Sequence, residues 1–244
     1  MRETEDPLSL IILPENLVMG LFSADSFIGK TLTKIGEIVI LSVLWFFTSI
    51  PVITIGASST ALYYAVTKCV RRGRGYVVKE YFKAWKQNFV KSAFLTLFFL
   101  VCLLGLWTVL SQLGFTLEDI SLNGLQSAYK DNSDSLLSTY YVAGAYLIIL
   151  GGLFCYVFPL LSRFDMKCIQ IVFLAFVMLI RFLHYSISVL VILVFMGYVV
   201  LRLPMFIMFA PGLWAFLSSY LLEKAIRKYT PEPAEGEDAW WMEL

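Results

Sequence analysis

Charge is scarce in this 244-residue chain. Only 15% of its residues are Asp, Glu, Lys or Arg, against about 25% in a soluble domain. A water-soluble globule of this size would lack the polar surface to cover its core, which excludes a soluble enzyme and a disordered chain. Histidine is nearly absent, with His184 alone. The four cysteines, Cys69, Cys102, Cys155 and Cys168, form no C-x-x-C pair. A zinc site of the usual type has little to draw on, and no disulfide scaffold is spaced out. Buried or reduced thiols are expected. No H-E-x-x-H, no G-x-S-x-G and no paired carboxylates at a recognisable spacing occur, so no catalytic role, cofactor or metal is expected.

What is present is apolar length. AVILMFWYC residues make up 59% of the chain, and mean hydropathy is +0.77. A hydrocarbon slab about 30 Å thick needs about 20 apolar residues in a helix, because lipid offers the backbone no hydrogen-bond partners. The expected fold is an all-α, polytopic transmembrane helical bundle in a single domain over 31–228. Its spans are expected at 34–50, 55–70, 92–111, 138–161, 182–201 and 203–222, or five spans if 55–70 is re-entrant. Pro51 and Gly56 punctuate the first hairpin, and Ala57, Ala61 and Ala65 give its second helix a small-residue face suited to close packing. The apolar run Cys168–Ile180 is too short to cross and reads as an interfacial or helix-extending segment before the fifth span.

Residues 77–91 are expected to form an amphipathic interfacial helix. Val78, Phe82, Trp85 and Phe89 fall on one apolar stripe at i, i+4, i+7 and i+11, and Lys79, Lys83, Lys86 and Lys91 flank it. Anionic lipid headgroups are the expected contact of those lysines. Nucleic acid is not an expected partner, since the aromatics occupy the apolar stripe and not the basic face.

Net charge is +1, but the charges are segregated. With six spans, the basic residues number three in 1–34, eight in 68–91, three in 162–182 and three in 223–244. The opposite side receives only Lys130 and Arg202. This 17-to-2 split puts both termini in the cytoplasm. An N-terminal segment, 1–30, an acidic outer loop, 112–137, and a flexible acidic tail, 229–244, complete the organisation. No cleavable signal peptide is read from the N-terminal segment. Few ionisable groups fall inside the spans. Glu37 is expected to pair with Lys34, and Arg181, His184 and Arg202 to snorkel at interfaces. The stretch Ala24–Thr31 loosely matches a phosphate-binding loop, but no strand precedes it and a membrane helix follows. Lys30 and Lys34 read instead as surface anchors.

Several longer stretches carry a resemblance. Thr48–Tyr64 (TSIPVITIGASSTALYY), Tyr81–Phe89 (YFKAWKQNF), Tyr156–Phe164 (YVFPLLSRF) and Ser218–Leu222 together resemble the YesL family of bacterial integral membrane proteins, over roughly residues 20–228. That family is a domain of unknown function, common in Gram-positive bacteria. Its genes neighbour binding-protein and permease components of carbohydrate ABC transporters. The resemblance implies a bacterial cell membrane protein with an accessory or regulatory role beside such a transporter. An independent small-solute transporter or channel, and a membrane-bound sensor or scaffold, are the alternatives. Family-motif positions with expected structural roles are Pro51, Thr54, Gly56, Ser58, Tyr63, Tyr64 and Pro159. Lys83, Lys86, Gln87, Asn88 and Arg163 are the expected cytoplasmic-side patch for a partner or for lipid.

Overall fold

A computed structural model of the protein describes residues 27–112 and 134–229. Among the described residues there are seven α-helices and no strand. They are α1 (Phe27–Thr48), α2 (Ile55–Ala65), α3 (Val77–Gln112), α4 (Asp134–Leu161), α5 (Cys168–Arg181), α6 (Leu183–Arg202) and α7 (Ala210–Ile226). Among the described residues, four stretches are long and apolar enough to cross a membrane: Gly29–Thr48, Val77–Thr108, Tyr141–Leu161 and Leu183–Arg202. The chain is thus an all-α bundle of membrane type. Most of the N-terminal segment, the outer loop and the tail lie outside the described residues.

The first hairpin turns at Pro51, where a proline-led 3-10 turn, Val52–Thr54, joins α1 to α2. Backbone groups at such a turn need partners inside the protein, and hydroxyls supply them. Thr54 Oγ1 donates to Thr48 O and to Pro51 O, both at 2.6 Å. Ser58 Oγ donates to Thr48 Oγ1 at 2.9 Å, and Tyr81 OH closes the group at 2.6 Å from the same atom.

α2 is the packing centre. Ala57, Ala61 and Ala65 are fully buried, as their small-residue spacing predicts. A Cβ built on Gly56 would meet Thr96 Oγ1, sit 2.5 Å from the Phe158 ring and lie 2.9 Å from Ser92 O, so only glycine admits this contact with α3 and α4. A comparable contact joins α7 to α1. Gly212 N–H donates to Ser42 Oγ at 3.0 Å, and a Cβ there would lie 2.7 Å from Ile38 O. Beyond Ala65 the helix widens into a π-turn, Val66–Val70, and Gly73 at φ 65° reverses the chain while its N–H donates to Cys69 O at 2.7 Å.

Residues 77–91 differ from expectation in two ways. They are not a separate interfacial helix but the first half of α3, a continuous helix of 36 residues and about 54 Å. The buried stripe is also shifted by one residue: Val77, Tyr81 and Ala84 face α2, while Val78 and Phe82 are exposed. Trp85 and Phe89 stack on each other at 4.9 Å, half-buried. The reason is Tyr81, whose hydroxyl finds Thr48 only from the inward face.

This register also changes the span picture. α2 packs along residues 77–96 of α3, the basic half and the beginning of the 92–111 stretch. The hairpin tip, at Val52 and Ile55, shares a groove with Leu100, Leu103 and Leu147. α3 continues nine residues past Leu103, about 14 Å. Segment 203–222 likewise differs, since Pro204–Met208 is a 3-10 turn and α7 starts only at Ala210. At 11, 14 and 17 residues, α2, α5 and α7 are the short members of the bundle.

The Cys168–Ile180 run forms α5, which buries Ile171, Ala175 and Met178 at i, i+4 and i+7. Leu179 fills the notch left by Gly152 of α4. Pro159 stands in the last turn of α4, which ends two residues later. Two clusters form the core, one around α4, α5 and α6 and one around α1, α2 and the start of α3. Trp214 packs against both. Large apolar side chains such as Phe47, Val101, Ile148 and Val194 point outward, the inverse of a soluble surface and the condition for lipid contact.

Candidate functional site

The polar residues collect at one end of the bundle, where α2 ends, α3 begins, α4 ends and α7 ends. At its centre is Glu223, whose side chain is 4% exposed. It forms ion pairs with Arg72, at 3.3 Å, and with Arg163. Tyr63 OH donates to Glu223 Oε1 at 3.2 Å. Arg71 lies alongside, donating to Ser219 O at 3.0 Å with its guanidinium 4.2 Å from the Tyr220 ring centroid. Desolvation lowers the Arg72 pKa from its ordinary value, and the Glu223 charge partly offsets that. A carboxylate buried between two arginines ties three helix ends together. The arrangement gives each of these buried charges an opposite partner.

Two further ion pairs surround this centre. Lys68 donates to Glu80 at 3.0 Å and to Tyr64 OH at 3.2 Å, joining the end of α2 to the first turn of α3. Lys91 pairs with Asp165 across the gap between α3 and the α4–α5 connection. The Lys91 hydrogen bond lowers the Asp165 pKa below the usual carboxylate value.

The structure divides the expected patch. Lys83 and Lys86 are exposed on α3. Gln87, Asn88 and Arg163 come together in a polar cleft of about 410 Å³, with Lys91, Ser162 and Asp165 also on its lining. Arg163 is the main departure from expectation. Its side chain is 5% exposed, and it meets the cleft from the buried side while holding Glu223. Of the family-motif positions, Pro51, Thr54 and Ser58 form the hairpin turn, Gly56 the helix contact, and Tyr63 and Tyr64 the two ion-pair groups described above. Pro159 accepts a hydrogen bond from Ser162 Oγ at 2.7 Å. Lys34 and Glu37 form no ion pair among the described residues.

Glu223 and Arg72 are site residues that sequence reasoning missed, and Lys91, expected as a headgroup contact, is paired with Asp165 as well. A signal was present in the sequence: Glu80, Asp165 and Glu223 are acids isolated among basic residues at the ends of apolar runs. Each of them is paired in the structure.

All four cysteines are free. Away from the polar end, two grooves of about 370 and 350 Å³ lie at the level of the apolar segments. Trp45, Leu62, Met196 and Trp214 line the first, and Leu103, Leu147 and Phe154 the second. Among the described residues, Ser59 and Thr96 are the hydroxyl-bearing members of their linings.

A family model described as "Protein of unknown function, DUF624" matches residues 38–109. The match runs from the second half of α1 through most of α3. It includes Gly56, Tyr63, Lys83 and Lys86 but not Pro159, Arg163 or Glu223. Comparison with curated proteins and with solved structures found no match.

Proposed function

We propose that this chain is a non-enzymatic accessory protein of the bacterial cell membrane that docks a membrane partner through the basic face of α3. The observation that carries the reading is the presentation of Lys83 and Lys86. Both are exposed on a helix whose opposite face, Val77, Tyr81 and Ala84, is fixed against α2. A rigid helix end bearing exposed lysines interspersed with exposed Val78 and Phe82 suits recognition of a protein surface near the headgroups. The basic end faces the cytoplasm in this reading, with both termini on that side. The resemblance to the YesL family points to the permease components of carbohydrate ABC transport as the partner.

The apolar grooves support this reading over an independent solute transporter, which needs polar or charged groups along its path. A membrane-bound sensor or scaffold shares the same surface and differs only in the partner. The test is purification from mild detergent of the native chain and of the double variant Lys83→Glu, Lys86→Glu. A permease subunit is expected to accompany the native chain and to be lost from the variant. Equal recovery from both would overturn the role of this face.

A further inference from the structure

We propose that the cleft between α3 and the α4–α5 connection binds a phosphate-bearing anion, with Lys91 and Arg163 as its cations. The proposal goes beyond partner docking and stands without it, because the cleft contains neither Lys83 nor Lys86.

Three observations carry it. First, the lining is polar: Lys91, paired with Asp165, and Arg163, paired with Glu223, are joined there by the Gln87 and Asn88 amides and the Ser162 hydroxyl. Gln87 and Lys91 lie one turn apart on α3 and so share a face. Second, the cations are held in place. Arg163, on the lining of the cleft, is anchored from behind by Glu223 through a charge-assisted hydrogen bond. Asp165 holds Lys91 at the rim, where that carboxylate is also the ligand's competitor. Third, the level is that of lipid headgroups. Lys91 is the last charge before the charge-free stretch Ser92–Ser111, which places it where polar headgroups meet hydrocarbon. About 410 Å³ accommodates a phosphate with a small polar substituent such as glycerol.

The chemistry is shared by an anionic phospholipid headgroup and a soluble organic phosphate, and one experiment separates them. The full chain is placed in phosphatidylcholine nanodiscs, and its thermal midpoint is followed as phosphatidylglycerol, inorganic phosphate or glycerol phosphate is added. Stabilisation by phosphatidylglycerol alone assigns the cleft to a lipid headgroup, and stabilisation by the soluble phosphates assigns it to a free anion of the same class. Lys91→Gln is expected to weaken the apparent affinity about tenfold, as for loss of one charge-assisted contact. Asp165→Asn is expected to strengthen it by removing the competing carboxylate, and Lys79→Gln, outside the cleft, to leave it unchanged. No stabilisation by any of the three additives would overturn the proposal. So would equal losses in Lys91→Gln and Lys79→Gln, since that is general basicity and not a site.

Discussion

Replacing Glu223 by alanine removes the carboxylate that pairs with both Arg72 and Arg163. The side chains of these arginines are 6% and 5% exposed, so water does little to compensate the lost partner. Breaking a buried ion pair by removing one member costs about 3–5 kcal/mol. Tyr63 OH also loses its acceptor, so the expected cost lies in the upper part of that range. Glu223→Gln keeps the shape and an acceptor oxygen but loses the charge. A charged hydrogen bond exceeds a neutral one by about 1 kcal/mol, and two arginines are affected, so about 2–3 kcal/mol is expected. Removing an arginine together with the acid relieves part of the penalty, since hydrophobic replacement of a buried pair is often near neutral. Arg163→Met in the Glu223→Leu background is therefore expected to be less damaging than the sum of its parts. The assay is SDS-titrated unfolding in mixed micelles, read as a double-mutant cycle. A cost below about 1 kcal/mol for Glu223→Ala, or additivity of the pair, would refute the view that this ion cluster holds the three helix ends together.

Three further outcomes are expected. Tyr81→Ala should cost about 3–4 kcal/mol by leaving a buried cavity and two hydroxyls short of a partner, whereas exposed Phe82→Ala should cost less than about 1. The opposite order in the same unfolding assay would restore the unshifted stripe. Gly56→Val should destabilise by at least about 2 kcal/mol, because its added carbons meet the Ser92 backbone carbonyl and the Phe158 ring. A native-like midpoint would show that α2 and α3 are not in such close contact. The lowered Asp165 pKa means that its attraction to Lys91 is present above the ordinary carboxylate pKa, about 3.9, and is lost as pH falls through the depressed native value. A carbon-13 NMR titration of Asp165 should accordingly place its midpoint below the ordinary value, and Lys91→Gln should raise it. An unchanged midpoint in that variant would remove Lys91 as the cause.

The parts of the fold legible in sequence were those set by local pattern. The Pro51 turn, the small-residue face at Ala57, Ala61 and Ala65, and the short helix over 168–181 each follow from a few adjacent residues. The α3 register was not legible for a physical reason. In lipid an apolar side chain is as content outward as inward, so Phe82 and Trp85 do not mark the buried face. The hydroxyl of Tyr81 marks it, because a polar group needs a partner in the protein. The ion cluster was hidden for another reason. Glu223 lies 151 residues from Arg72 and 60 from Arg163, and no spacing rule connects them. Each is the kind of charge that reads as emerging at an interface. Arg163 was read as surface for that reason, and only its partner explains why it is buried.

The most direct test of the docking role is site-specific photo-crosslinking in intact cells. A photoreactive residue is placed at Lys83 or Lys86, with lipid-facing Ile148 and Val194 as controls, and the adducts are identified by mass spectrometry. A carbohydrate ABC permease subunit captured from positions 83 and 86 and not from the controls is the result predicted. Lipid adducts alone, or the same proteins captured from all four positions, would contradict it.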